Sequence, residues 1–168
     1  AEICDYVFID SDEDAVARAQ ALFEEYEFVK TLQLDIENLP ETLPEALILG
    51  SFDIVIAANV LHQLHHLEKT LATLRGFLKS EALFIAVEQA DSRFTDITCG
   101  LNPSWWLHDE QHKTVNSRLL PPQSWTSLFT RQGFVKTQTL LEPEAIDNPG
   151  AFVVLAQNAV IMASEMPV

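Results

Sequence analysis

Two apolar runs limit this chain's fold more than any other feature. Phe52-Asp-Ile-Val-Ile-Ala-Ala-Asn-Val-Leu-His62 and Ala82-Leu-Phe-Ile-Ala-Val-Glu88 each read as a buried strand. The first ends in polar groups and a histidine, the second in a carboxylate. Ligands of an open α/β sheet bind where its strands end. His62 and Glu88, at two such ends, make a base with its orienting partner.

The 168 residues suffice for one domain with a real core, and 48% hydrophobic with 21% charged residues is an ordinary globular composition. No apolar run approaches the roughly 20 residues that cross a bilayer, and the N-terminus lacks the pattern of a signal peptide. The first residue is Ala, so the chain is expected to be processed, excised or part of a longer protein. A net charge of −15 argues against nucleic acid or an anionic membrane as partner. Cys4 and Cys99 show no metal or redox spacing, and two free thiols suit a cytoplasmic location.

Strands and helices alternate along the chain. Tyr6–Ile9 reads as a strand ending at Asp10. Ser11 is expected to cap a helix over residues 12–26, with Asp14 completing a capping box. Phe28 to Leu34 is the next strand, ending at Asp35. Residues 36–51 read as a loop. After the strand 52–58, Leu67, Leu71, Leu74 and Leu78 mark a helix over about 66–79. The segment 89–120 lacks clear periodicity and holds Trp105, Trp106, His108 and His112; long loops of this kind are usually functional. Pro121-Pro122 opens a helix to about 132, which Gly133 ends. Strands over about 134–141 and 151–158 flank a turn with Pro143, Pro149 and Gly150, and 159–168 reads as a tail. The alternation implies a parallel sheet with helices on both faces, its last two strands forming an antiparallel hairpin at one edge.

Each candidate site residue has a plain alternative. Asp10 suits a ribose-binding acid, but spacing alone favours the plainer reading of a helix N-terminal acid stabilised by the macrodipole. Asp35 could receive an adenine amino group or cap its own loop. Trp105 and Trp106 could line an apolar channel or clamp the loop onto the core. The spacing of His62, His65 and His66 matches no zinc pattern, and His108 with His112 lacks a convincing helix, so no metal is expected.

Taken in order, Phe-Ile-Asp-Ser (8–11), Leu-Asp-Ile-Glu (34–37), the run 52–62, Leu-Lys…Phe-Ile-Ala-Val-Glu (78–88) and Trp-Trp-Leu (105–107) resemble class I S-adenosylmethionine-dependent methyltransferases. More narrowly, they resemble the C-methyltransferase domains of polyketide synthases, over about residues 6–158. The resemblance implies a Rossmann-like sheet. By position, Asp10 would bind the ribose of S-adenosylmethionine, Asp35 its adenine, and Asn59 would lie near its methionine part. His62 and Glu88 would be the catalytic dyad, and Trp105 and Trp106 would face the acyl chain. The implied substrate is a β-ketoacyl chain on an acyl carrier protein, with neighbouring synthase domains as partners. His62 would remove the proton between the two carbonyls, and the enolate would attack the sulfonium methyl group.

The sequence departs from this family in one major respect. Its glycines are Gly50, Gly76, Gly100, Gly133 and Gly150, so the family's Gly-rich turn after the first, central strand is absent. The expectation is therefore a C-terminal portion of the domain (residues 1–158) without that strand, inactive by itself. The strand lies outside this chain, or the domain is a non-catalytic structural module of a synthase. A stand-alone small-molecule methyltransferase is the third reading. Ser80-Glu81-Ala82 also replaces the family's Pro-Gly-Gly turn.

Overall fold

β1 (Tyr6–Asp10) and β2 (Val29–Gln33) pair in parallel, in register from Tyr6↔Val29 to Asp10↔Gln33. They belong to a computed structural model that describes residues 5–109, 114–141 and 150–160. The chain divides into two compact units, Ala1–Ile48 and Leu49–Val168.

In the first unit, α1 (Glu13–Leu22) connects the two strands. Its cap is Asp12, whose side chain accepts from the Asp14 backbone N–H at 2.9 Å, and not Ser11 as the sequence suggested. Asp10 causes the shift: its Oδ1 accepts from the Asp12 N–H at 2.9 Å, closing a turn that carries the chain one residue further before the helix begins. The helix also ends at Leu22, short of the predicted residue 26. Tyr26 instead donates its N–H to the Phe23 carbonyl and packs edge-on against Phe23 and Phe28, at centroid distances of 6.3 and 5.7 Å.

The second unit holds a four-stranded sheet in the order β3-β4-β8-β7. β3 (Phe52–Ala58) and β4 (Leu78–Gln89) are parallel, joined by the crossover helix α2 (Leu67–Phe77). β8 (Ala151–Asn158) is antiparallel to both β4 and the edge strand β7 (Phe134–Leu140). Three strands thus run one way and β8 runs the other. The antiparallel hairpin at one edge is as expected, with its second strand inserted inside the sheet. α4 (Pro122–Arg131) follows the capping Pro121 and buries Trp125, Leu128 and Phe129. Phe84, Phe129 and Phe134 form a ring cluster with centroids 5.1 to 5.5 Å apart, the centre of the core.

The β3 edge away from β4 has no strand partner among the described residues, and Ile54 and Ile56 on β3 are 51% and 56% exposed. Two residues apart, Ile54 and Ile56 project from the same face of β3 and leave an apolar strip exposed on it. β4 begins directly where α2 ends, with Leu78 already paired to Phe52, four residues before the predicted start. A register shift between Phe52 and Ile54 absorbs the extra length, and Glu81 takes φ +61° there. This is the turn where the resembling family has glycines. A left-handed backbone at a non-glycine residue costs about 1–2 kcal/mol. The Gln157 amide holds the strained Glu81 carbonyl at 2.9 Å.

The segment 89–120, expected to be irregular, contains α3 (Arg93–Cys99), a 3-10 turn at Pro103–Trp105, and the antiparallel pair β5 (Trp106–Asp109) and β6 (Thr114–Ser117). α3 escaped notice because Phe94 and Ile97 are 76% and 73% exposed, so its apolar residues do not mark a core-facing stripe. The turn with Pro143 and Pro149, His112, and the tail from residue 161 lie outside the described residues.

Candidate active site

β4 alternates along its length, placing Ala82, Phe84, Ala86 and Glu88 on its buried face. Glu88 therefore enters the interior as a consequence of strand register, and it is completely buried. A carboxylate in such a position has to be paired and hydrogen-bonded. Its Oε1 accepts from the Leu61 backbone N–H at 3.0 Å, and its Oε2 lies 2.6 Å from His62 Nδ1.

The partner strand delivers His62. β3 ends at Ala58, and Asn59 donates its N–H to the Val87 carbonyl at 2.7 Å as the last rung of the ladder. Asn59 then turns the backbone at φ +53°, a conformation that asparagine tolerates better than most residues. The chain continues into a 3-10 turn, Leu61–Gln63, in which Leu61 and His62 are buried. The Gln63 side chain closes the turn by donating to the Asn59 carbonyl at 2.8 Å.

An ionised carboxylate has no proton to offer, so Nδ1 is the donor and the lone pair of the neutral ring lies on Nε2. Nε2 makes no hydrogen bond with the described residues. The arrangement holds an imidazole in one tautomer and one orientation, with its basic nitrogen unspent.

Trp105 stands edge-on to the His62 ring, with centroids 6.4 Å apart and planes at 66°. Asp96 fixes it: one carboxylate oxygen accepts from Trp105 Nε1 at 2.9 Å and from the Ser117 hydroxyl at 2.6 Å. Trp106 has a different place. Its Nε1 donates to the Gly100 carbonyl at 3.0 Å, and a Cβ on Gly100 would meet its ring at 2.6 Å. The tryptophan pair thus divides: Trp105 meets the His62 ring, while Trp106 clamps the end of α3.

Asp10 and Asp35 lie in the first unit, at the end of β1 and just beyond β2. Asp10 Oδ1 serves the turn before α1. Asp35 accepts from the Asn38 side-chain amide at 2.7 Å and from the Glu37 N–H at 2.9 Å. The Asn38 bond first, and the Glu37 bond second, hold the Asp35 carboxyl below the ordinary carboxylate pKa. With a depressed folded pKa, the unfolded chain binds the extra proton. The stabilisation is present above the unfolded pKa and is lost as pH falls through the folded one. Asp35 is exposed, so the effect is small. The expected result is that Asp35→Asn has a shallower fall in melting temperature than the wild type between pH 5 and pH 3, measured by circular dichroism at about these values.

His65 and His66 are exposed, and His66 occupies the cap position of α2. Residues that sequence reasoning missed are Asp96, Ser117 and Arg118. Arg118 is buried, and its guanidinium donates to the carbonyls of Gln63 and Leu64 at 3.2 and 3.1 Å. The one available signal was a basic residue directly before the apolar Leu119-Leu120-Pro121.

Known proteins resemble this chain in sequence or in fold. The non-reducing polyketide synthase sorB of Penicillium rubens is 32% identical over 117 residues, 68% of this chain and 4% of that protein. The crystal structure of the CurJ carbon methyltransferase matches with a TM-score of 0.76 and 28% identity, over 92% of this chain and 42% of that one. The trans-methyltransferase CalH in complex with SAH matches with a TM-score of 0.74 and 29% identity, over 92% of this chain and 43% of that one. The chain thus spans less than half of these structures and a small part of the synthase. Residues 1–84 match the family described as a methyltransferase domain, and with half of its length in that match the chain belongs to that family.

Proposed function

We propose that this chain is the part of a polyketide synthase C-methyltransferase domain that carries the catalytic base. The buried His62–Glu88 pair, 2.6 Å apart, carries the reading. The substrate class is a β-ketoacyl thioester on an acyl carrier protein, with the neighbouring synthase domains as partners. His62 Nε2 takes the proton from the carbon between the two carbonyls. The imidazolium that results is stabilised by the Glu88 carboxylate, which stays ionised and holds the ring by Nδ1. Trp105 borders the base and offers an apolar surface to the acyl chain.

S-adenosylmethionine, when bound, supplies a methyl group made electrophilic by its sulfonium. In the first unit, Asp10 and Asp35 are carboxylates of the kind that accept from ribose hydroxyls and an adenine amine. In the second unit, Asn59 stands at the end of β3. The structures of CurJ and CalH, one a carbon methyltransferase and one solved with SAH, support the same assignment.

The test is methyl transfer by the full-length parent protein to a β-ketoacyl pantetheine thioester, followed by mass spectrometry. A methylated product is expected. A parent that binds S-adenosylmethionine and leaves the thioester unmodified would refute the proposed reaction.

A second reading, a non-catalytic module of a synthase, is favoured by one observation. Asp35 accepts one local hydrogen bond on each carboxylate oxygen, and Asp10 one on the turn before α1, so both already have structural partners. Titration calorimetry separates the two. Binding heat from S-adenosylmethionine at micromolar to millimolar concentrations is the expected result, and its absence at about millimolar ligand would support the structural role.

A further inference from the structure

The turn that carries His62 is held at both ends by buried charges. Glu88 binds its start, through the Leu61 N–H, and the His62 ring itself. Arg118 binds its end, through the Gln63 carbonyl at 3.2 Å and the Leu64 carbonyl at 3.1 Å. Without Arg118 these carbonyls would lose a charge-assisted donor in a largely dry environment, where such bonds are strongest. The guanidinium also reaches His65 Nδ1 at 3.2 Å, so a single side chain spans three consecutive residues after the base. Arg118 is 7% exposed, and a buried arginine is retained only where its donors are used.

Its sequence neighbour strengthens the case. Ser117 donates to Asp96, the same oxygen that accepts from Trp105 Nε1. Two consecutive residues, at and just after the end of β6, therefore fix the two sides of one site. Ser117 acts through Asp96 on Trp105, and Arg118 acts on the turn of His62.

We propose that Arg118 is a positioning residue for the His62 base, setting the backbone from which the imidazole addresses its substrate. This rests on the assignment of His62 as the base. Arg118 does not touch the reacting atoms; its effect passes through the Gln63 and Leu64 carbonyls. Lysine cannot reproduce it, since an ammonium lacks the planar fork that reaches both carbonyls and the His65 ring.

The experiment uses the full-length parent protein with Arg118→Met, which keeps the side-chain length, and Arg118→Lys, which keeps the charge. The expected result for Arg118→Met is a kcat about 10- to 100-fold lower, the scale of a displaced catalytic group. KM for the thioester should stay within about twofold, since no substrate contact is lost. The His62 ring nitrogens, followed by nitrogen NMR, should change from one tautomer to a mixture. Arg118→Lys should be folded and show the same changes in smaller degree, which decides the matter if the methionine variant unfolds. An unchanged kcat and an unchanged His62 spectrum in a folded variant would overturn the proposal. If the wild type itself transfers no methyl group, the proposed reaction falls, and the His62 spectrum still decides whether Arg118 sets the turn.

Discussion

Replacing His62 with alanine in the full-length parent is expected to lower methyl transfer by about 10²- to 10⁴-fold, the usual contribution of a general base. The histidine is buried and bonded to a fully buried glutamate, which the substitution would leave without this partner. The same variant should lose exchange of the substrate's α-proton for deuterium in the absence of any methyl donor. That second measurement isolates proton removal from everything that follows. A rate within a few-fold of wild type would end the assignment of His62 as the base. The accompanying loss of stability should be separable from the kinetic effect, because cofactor binding and the far-ultraviolet circular dichroism of the variant report whether it is folded.

The largest expected effect on stability comes from the core behind the site. Phe84 is completely buried on β4, with the rings of Phe129 and Phe134 at 5.1 and 5.5 Å. Phe84→Ala removes the ring that both neighbours pack against and leaves a cavity that they can only partly fill. The expected cost is about 3–5 kcal/mol, measured by denaturant unfolding of the parent domain. Phe84 lies on the face of β4 that also carries Glu88. The variant should therefore also reduce methyl transfer at temperatures well below its own melting transition. A cost below about 1 kcal/mol would show that the cluster is not the centre of the fold.

The pairing of His62 with Glu88 was readable from the chain because both stand at the ends of apolar runs, where a polar residue has few structural reasons to be. The same runs identified β3 and β4, and the turn residues Pro143, Pro149 and Gly150 set off the strands seen as β7 and β8. What escaped was set by single side chains and not by periodicity. The start of α1 moved because Asp10 bonds the Asp12 N–H. α3 is a seven-residue helix whose cap, Ser92, accepts from Thr95 at 3.4 Å, and its apolar residues point outward. Arg118 is surrounded by ordinary residues in sequence, and its importance comes from carbonyls more than fifty positions earlier. Hydrogen bonds to backbone carbonyls leave no compositional trace, because every residue has a carbonyl to offer. The split between Trp105 and Trp106 was equally hidden, since it depends on Asp96 and on the absence of a side chain at Gly100.

The position of β8 bears on how the site comes into being during synthesis. The strand is the last of the eight described, yet it enters between β4 and β7, with Phe152 directly across from Glu88. Until it does, β4 lacks a neighbour on that side, and the carboxylate that orients the base stands beside an open strand edge. A nascent chain that has made every candidate catalytic residue is thus still without a finished interior around them. The interior around His62 and Glu88 is therefore complete only once the last described strand has joined the sheet.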